Sequence, residues 1–332
     1  MKKYIIIAAC CLGLVACKKE TGFDGPSIQE LYSEFTILET FQADRDSVYF
    51  ATGEDVLFTA KFNKISNWKI TIKGETSGAK KVITGQSRNI DVTNGQWNGS
   101  TTFFPMFKAE DCIAQLTIDG ETDTLQVPIR IKSVKSNPGL VIADFETGLN
   151  PLWTKFIQTG ANMDFAVKTD TFAPEQNKYL KMAGTVNWDY LIGLIDYPAT
   201  AYGTANTYTT LSSNPDDVYF NCLIYGVPNT NESIVLFQFK EDENGDGSIN
   251  ANTDDQYDLQ VNVNWVGWKL VSAKYSDLPH LNNGQPATPN GNSQHNPDKL
   301  GKISMLHLAN PANGYAHTKI DYIVFTSTPL EP

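Results

Sequence analysis

Between Glu241 and Asp255 the chain reads EDENGDGSINANTDD. Oxygen-bearing side chains alternate at Asp242, Asn244, Asp246 and Ser248, Gly245 and Gly247 allow a tight backbone, and Asp254 follows at the far end. Hard cations take oxygen ligands in such a wrap, so this spacing suits a structural calcium ion. Two features depart from a calcium loop held between helices. The twelfth position from Asp242 is Thr253 rather than glutamate, and the flanks IVLFQFK and YDLQVNV alternate as strands do. The stretch is therefore expected to be a long hairpin, in which a cation would offset repulsion among the aspartates. The alternative is a solvated turn, since Gly, Asn and Asp favour turns in any case.

The strands beside it offer a second kind of chemistry. Alternation places Tyr257, Leu259, Val261 and Val263 on one side of YDLQVNVNW and Asp258, Gln260, Asn262 and Asn264 on the other. In VYFNCLIYG the outward set is Tyr219, Asn221, Leu223 and Tyr225, and in SIVLFQFK it includes Gln238 and Lys240. If these strands are neighbours, the exposed face carries amides, tyrosines, a lysine and an aspartate. Amides donate and accept at once, which suits sugar hydroxyls, and aromatic faces suit sugar rings. An ordinary wet sheet face alternates in the same way and is the competing reading. Trp153 and Trp188 lie near loops, where each is either a sugar platform or a plug for one end of a sandwich. The polar loop PHLNNGQPATPNGNSQHNPD (Pro279–Asp298) carries His280 and His295, whose default is solvation.

Catalysis finds little support. No nucleophile elbow, zinc-protease helix or phosphate-binding loop is present in the sequence. A glycoside hydrolase or lyase would need two carboxylates facing each other across a groove. The net charge of -11 on 332 residues repels phosphates, so nucleic acid is not an expected partner.

Positioning such residues calls for sheets. The N-terminal MKKYIIIAACCLGLVAC has two lysines and a short apolar run, the pattern of an export signal rather than a spanning helix. Residues 17–26 read as a polar tether. Residues 27–133 contain the strand-like segments Val56–Phe62, Trp68–Gly74, Ser100–Phe107, Cys112–Asp119 and Thr124–Ser133. Residues 134–139 read as a linker, and residues 140–332 hold about ten more strand-like segments with no helical periodicity. Cys112 and Cys222 fall in different strands and read as small buried hydrophobes.

Three resemblances add to this. LVAC, Leu14 to Cys17, resembles the bacterial lipobox, which implies cleavage of residues 1–16 and lipidation of Cys17 as a membrane anchor. The first set of strands, with Trp68 on the third, resembles an Ig-like β-sandwich. The DFE at Asp144–Glu146, WKLVSAKYSDL, NPDKLGKISMLHL and the closing KIDYIVF resemble the order of a galactose-binding-like jelly-roll β-sandwich, as in carbohydrate-binding modules. That resemblance implies a structural calcium near the chain ends of the domain, with Asp144, Glu146 and Asp321 in matching places. The whole is similar to the accessory glycan-binding lipoproteins of bacterial polysaccharide-utilisation systems. It implies an all-β, non-catalytic protein anchored in the outer membrane, on the cell surface rather than the periplasmic side. The protein would hold a polysaccharide or oligosaccharide beside an outer-membrane transporter complex. The rival reading is a structural or protein-interaction surface lipoprotein, and exposed aromatics beside the polar face separate the two.

Overall fold

The computed structural model describes residues 34–171, 173–228, 233–310 and 314–331. The export signal, the lipobox and Cys17 lie outside the described residues. The chain is all-β, an Ig-like sandwich followed by a jelly-roll sandwich. Among the described residues no helix is long and apolar enough to cross a membrane.

The first domain contains β1 (Ile37–Ala43), β2 (Ser47–Tyr49), β3 (Val56–Gly74), β4 (Lys80–Ile90), β5 (Gln96–Trp97), β6 (Asp111–Ile118) and β7 (Leu125–Ser133). The two strands expected on either side of NKISN are one, because β3 runs unbroken for 19 residues. Its first half pairs with β1 and β5, and its second half with β6, while β4 follows it on both sides of a register shift. One strand therefore serves both layers. β4 escapes sequence reading because KKVITGQSRNI is polar on both faces. Ser100–Phe107, expected as a strand, is irregular apart from a single bridge of Phe103 to Lys80. Trp68 is buried as expected, and its indole N–H donates to Ser87 Oγ at 2.9 Å. A Cβ on Gly85 would stand 2.3 Å from that indole, so only glycine lets β4 pass over it.

The second domain runs through β8 (Leu140–Ala143), β9 (Thr154–Ile157), β10 (Asn162–Thr169), β11 (Lys178–Thr185), β12 (Leu191–Pro198), β13 (Tyr219–Gly226) and β14 (Ser233–Glu241). It continues with β15 (Gln256–Val263), β16 (Gly267–Lys274), the short pair β17 (Leu281–Asn282) and β18 (Gln285–Pro286), β19 (Leu300–Ala309) and β20 (Tyr315–Thr326). Six strands form one sheet in the order β10-β11-β20-β13-β16, with β8 also on β20. Five form the other, in the order β15-β14-β19-β12-β9. Between them lies a core that includes Phe220, Phe237, Phe239 and Phe325, with Phe220 edge-on or tilted against the other three at 4.7–5.5 Å. Such aromatic contacts add to the area they bury. Cys222 sits in this core and Cys112 in that of the first domain, both free and buried, with burial pushing both thiols up.

The outer face of the six-stranded sheet is partly covered. Leu223, Tyr322, Val324 and Leu330 cluster there with Phe104 and Met106 of the first domain. Met106 N–H also donates to Pro174 O at 2.7 Å. This contact explains why Leu223, an outward-facing residue of β13, is fully buried.

Candidate functional site

The ligand-binding residues read from the sequence do not form one face. β13 pairs with β16 and β20, whereas β14 and β15 pair with each other in the opposite sheet. Tyr219, Asn221 and Tyr225 therefore lie across the sandwich from Gln238, Lys240, Gln260, Asn262 and Asn264. Parity settles which side of its own strand a residue faces, and pairing order is a separate matter that parity leaves open. Asn221 is not exposed at all; its amide donates to Thr326 Oγ1 at 2.9 Å. Tyr225 is half-buried, edge-on to Trp268 at 5.3 Å and under Lys319 Nζ at 4.5 Å. Trp268 packs on this outer face against Tyr179 and Tyr225.

The outer face of the five-stranded sheet brings the rest together and adds residues that sequence parity alone did not connect. Register aligns Asp258, Gln238, Ser304, Asp196 and Thr154 as one row across five strands. The next row is Gln260, Leu236, Leu306, Leu194 and Phe156. Beyond it lie Asn262, Ile234 and Leu308, and on the other side Lys240 opposes Lys302. A polar band thus runs beside an aliphatic band. Asp196, Lys302 and Ser304 were missed because β12 and β19 are far from β14 in sequence.

The polar band is ordered by its own contacts. Ser304 Oγ donates to Asp196 Oδ1 at 2.6 Å, and Lys302 Nζ reaches Asp196 Oδ2 at 3.3 Å. Asp258 accepts from Gln256 Nε2 at 3.0 Å and from Leu281 N–H at 2.8 Å. Burial pushes the Asp258 carboxyl up, and the Leu281 N–H, His280 and two glutamine amides oppose the shift. Lys240 differs from its neighbours. Burial, and then Lys302 beside it, hold its ammonium below the usual lysine range, and no hydrogen bond to it is found among the described residues. A cleft of about 390 Å³ opens at this end, lined by Lys240, Lys302, Gln256, His280, Asn282 and Asn290. The loop from Pro279, read as polar and solvated, instead walls the edge strand. His280 Nδ1 lies 2.8 Å from Gln256 O, and His295 stacks on Tyr257 at 3.8 Å.

Asp196 and Asp258 are the carboxylates of this row, three strands apart, which is about 14 Å at normal strand spacing. Glycosidase pairs stand at about 5–9.5 Å. This pair does not have a hydrolase's spacing.

The tryptophans divide. Trp153 is a plug, edge-on to Tyr197 at 4.8 Å, with its N–H donating to Tyr202 Oη at 3.0 Å. Trp188 is 60% exposed in the β11–β12 turn, its N–H donating to Thr159 O at 2.8 Å; Tyr190 is 51% and Phe156 46% exposed.

The expected metal ligands also divide. In the hairpin, Asp242 Oδ1 accepts the N–H groups of Gly245 and Asp246, and its Oδ2 accepts that of Gly247. Asp246 accepts from Ser248 N–H and from Asn244 Nδ2, and Asp254 from the N–H groups of Glu243 and Asn250. Gly245 and Gly247 take left-handed φ values of 72° and 81°, as the tight wrap requires. These oxygens do not converge: among the described residues, no three of the hairpin acids Asp242, Asp246 and Asp254 come within one ion's coordination sphere. These side chains also cap the loop's own backbone.

The strand-end acids lie near enough to raise one another's pKa values, but among the described residues no three of them bring oxygens within one ion's coordination sphere. Glu146 accepts from the N–H groups of Asn177 and Lys178, and Asp144 from Glu146 N–H. Asp321 is fully buried with Oδ2 unpartnered, and Glu175 Oε2 is buried and unpartnered as well. Burial, then Asp144 and Glu146, push Glu175 up to about 7; burial and then Glu175 push Asp321 up. Phe145 and Tyr322, the residues next to these acids, hold left-handed φ values of 59° and 46°. Strain of this sort persists only where the surroundings over-determine it.

No family model matches the sequence, and no curated protein matches it. Solved structures with a similar course of chain include a carbohydrate-binding module of the β-sandwich superfamily, at 10% identity and TM-score 0.39, covering 88% of this chain and 97% of that one. Another is the family 11 module of Clostridium thermocellum, solved with a mixed-linked β-1,3-1,4 tetrasaccharide, at 15% identity and TM-score 0.40, covering 60% and 100%. A xylan-binding domain from Paenibacillus barcinonensis matches at 14% identity and TM-score 0.31, covering 57% and 96%. Likeness this low assigns neither a family nor a ligand to the chain.

Proposed function

We propose that the protein is a non-catalytic glycan-binding module, and that the outer face of the five-stranded sheet is where polysaccharide lies. The observation that carries this is the pairing of two bands on one open face. Hydroxyls need paired donors and acceptors, which Gln238, Asp196, Lys240 and Lys302 supply, while Asp258 and Ser304 are fully buried and order that row. Apolar ring faces need an apolar surface, which Leu236, Leu306 and Leu194 supply, with exposed Trp188, Tyr190 and Phe156 beyond. A protein-docking patch would be expected to have an apolar centre and a polar rim. Here the two characters run side by side.

Lipidation at Cys17, outer-membrane anchoring with surface display and a transporter partner belong to the same reading and rest on the lipobox. Calcium belongs to it at the strand-end corner, where Asp144, Glu146 and Asp321 are the expected ligands and would have to close on the ion. Calcium there would neutralise the buried carboxylates and fix the two chain ends of the domain.

The test is native affinity electrophoresis through gels carrying plant, microbial and host polysaccharides. The wild type is run beside Leu306→Arg, which places a charge at the centre of the face without touching the core. Retardation by a polysaccharide that is lost in the variant supports the reading. A panel with no retardation, or retardation that the variant keeps, refutes this face.

A further inference from the structure

The root of the acidic hairpin holds a cluster that the glycan face does not use. Glu241 and Glu243 leave β14, and Asp255 lies just before β15. Each offers an oxygen, and the three oxygens lie within 4.8 Å of one another. Calcium ligands stand about 2.4 Å from the ion, so oxygens on opposite sides of it are about 4.8 Å apart.

Two further atoms point at the same place. Glu241 is fully buried, and its Oε2 has no partner. The Tyr257 hydroxyl is likewise buried and unpartnered, and it lies near enough to Glu241, Asp255 and Glu243 for all three to raise its pKa. Native structures leave few buried oxygens unsatisfied, and two at one spot call for a donor or an ion. Charge agrees. Against the three carboxylates stands Lys299, whose Nζ is 2.9 Å from Glu243 Oε2. The excess is two negative charges, which a divalent cation balances.

We propose that Glu241, Glu243 and Asp255 form a site for a divalent hard cation of the calcium class, beneath the hairpin rather than inside it. The ion fixes the loop that walls the cleft. Asp255 accepts the N–H groups of Gly291 and Ser293, Glu241 accepts that of Asn296, and Glu243 accepts from Asn292 Nδ2. Four loop residues thus hang on the three carboxylates that the ion holds in place. Without an ion, a proton on Glu241, which burial and Glu243 favour, would offset one of the two excess charges.

The test is a calcium titration by calorimetry, paired with terbium luminescence excited through tyrosine, on the wild type, Glu241→Gln, Glu243→Gln and Asp246→Asn. The wild type is expected to bind one more ion than Glu241→Gln or Glu243→Gln, or to bind that ion at least tenfold more tightly. Asp246→Asn, at the hairpin tip, is expected to match the wild type. Tyr257→Phe, which keeps the carboxylates, is expected to lose part of the sensitised emission, with Tyr275 still on Glu241 Oε1, while calcium affinity holds. The proposal is overturned if the glutamine variants keep wild-type stoichiometry and affinity, if Asp246→Asn alone loses the ion, or if no saturable binding occurs. The last result would mean that a shared proton satisfies the cluster. Should the glutamine variants not fold, emission that is unchanged in Tyr257→Phe overturns it as well.

Discussion

Replacing Lys240 with methionine separates folding from binding at one position. The folded protein disfavours the Lys240 charge, through burial first and Lys302 second. A lysine whose folded pKa lies below its unfolded one destabilises the fold at neutral pH. That penalty fades as pH rises through the folded value toward 10.5, because there the unfolded chain binds more protons. Methionine keeps most of the aliphatic stem and removes the charge. Lys240→Met is therefore expected to melt at the same temperature as the wild type or higher, and to lack the wild type's rise in stability at alkaline pH. For binding the sign reverses. A hydrogen bond to a charged group contributes about 1.5–3 kcal/mol, so losing one sugar contact should raise Kd by roughly 10- to 150-fold. Calorimetric titration of the retarding glycan, with melting curves from pH 7 to 11, reads both effects. A variant that binds as well as the wild type places the glycan elsewhere. A variant that melts several degrees lower means that Lys240 has a stabilising partner, which contradicts the geometry.

Trp188→Ala should leave the melting temperature within a degree or two, since the ring is 60% exposed. If a sugar covers about 75 Å² of that ring, the loss is about 2 kcal/mol, or some 30-fold in Kd, and an unchanged Kd removes Trp188 from the site. Phe237→Ala, at the centre of the jelly-roll core, should cost about 3–5 kcal/mol in a denaturant titration. His307 is fully buried, and burial lowers its pKa to about 4. The unfolded chain then takes up a proton near 6.5 that the folded one refuses, so stability should fall by about 3 kcal/mol from pH 7 to pH 4. His307→Gln should flatten that slope. Calcium should raise the melting temperature over chelator, and Asp321→Asn should shrink the difference; an equal difference in both would place the ion away from the strand-end corner.

Much of this protein is written in local pattern. The strands of the jelly roll follow from alternation, and the inward set Val218, Phe220, Cys222 and Ile224 is buried because one face of a strand must meet a core. The hairpin between β14 and β15 follows from local signals too. The failures share a cause. Alternation fixes which side of a strand a residue occupies, but says nothing about which strand lies next to it. Tyr225 and Gln238 share an outward parity and lie on opposite sheets, while Asp196 and Gln238 share a row though 42 positions apart. Burial was misread where a second surface arrives from far along the chain, as when Phe104 and Met106 cover Leu223. The acids of the hairpin spell a calcium loop by spacing, and in the folded loop their oxygens also accept backbone N–H groups. Glu241, Glu243 and Asp255 have no spacing signal, because only the closing of the loop at 291–296 brings them together with its N–H groups. Composition and alternation by themselves determined an acidic, all-β, two-sandwich protein. Strand order and loop closure, which depend on contacts distant in sequence, decided where its polar groups meet.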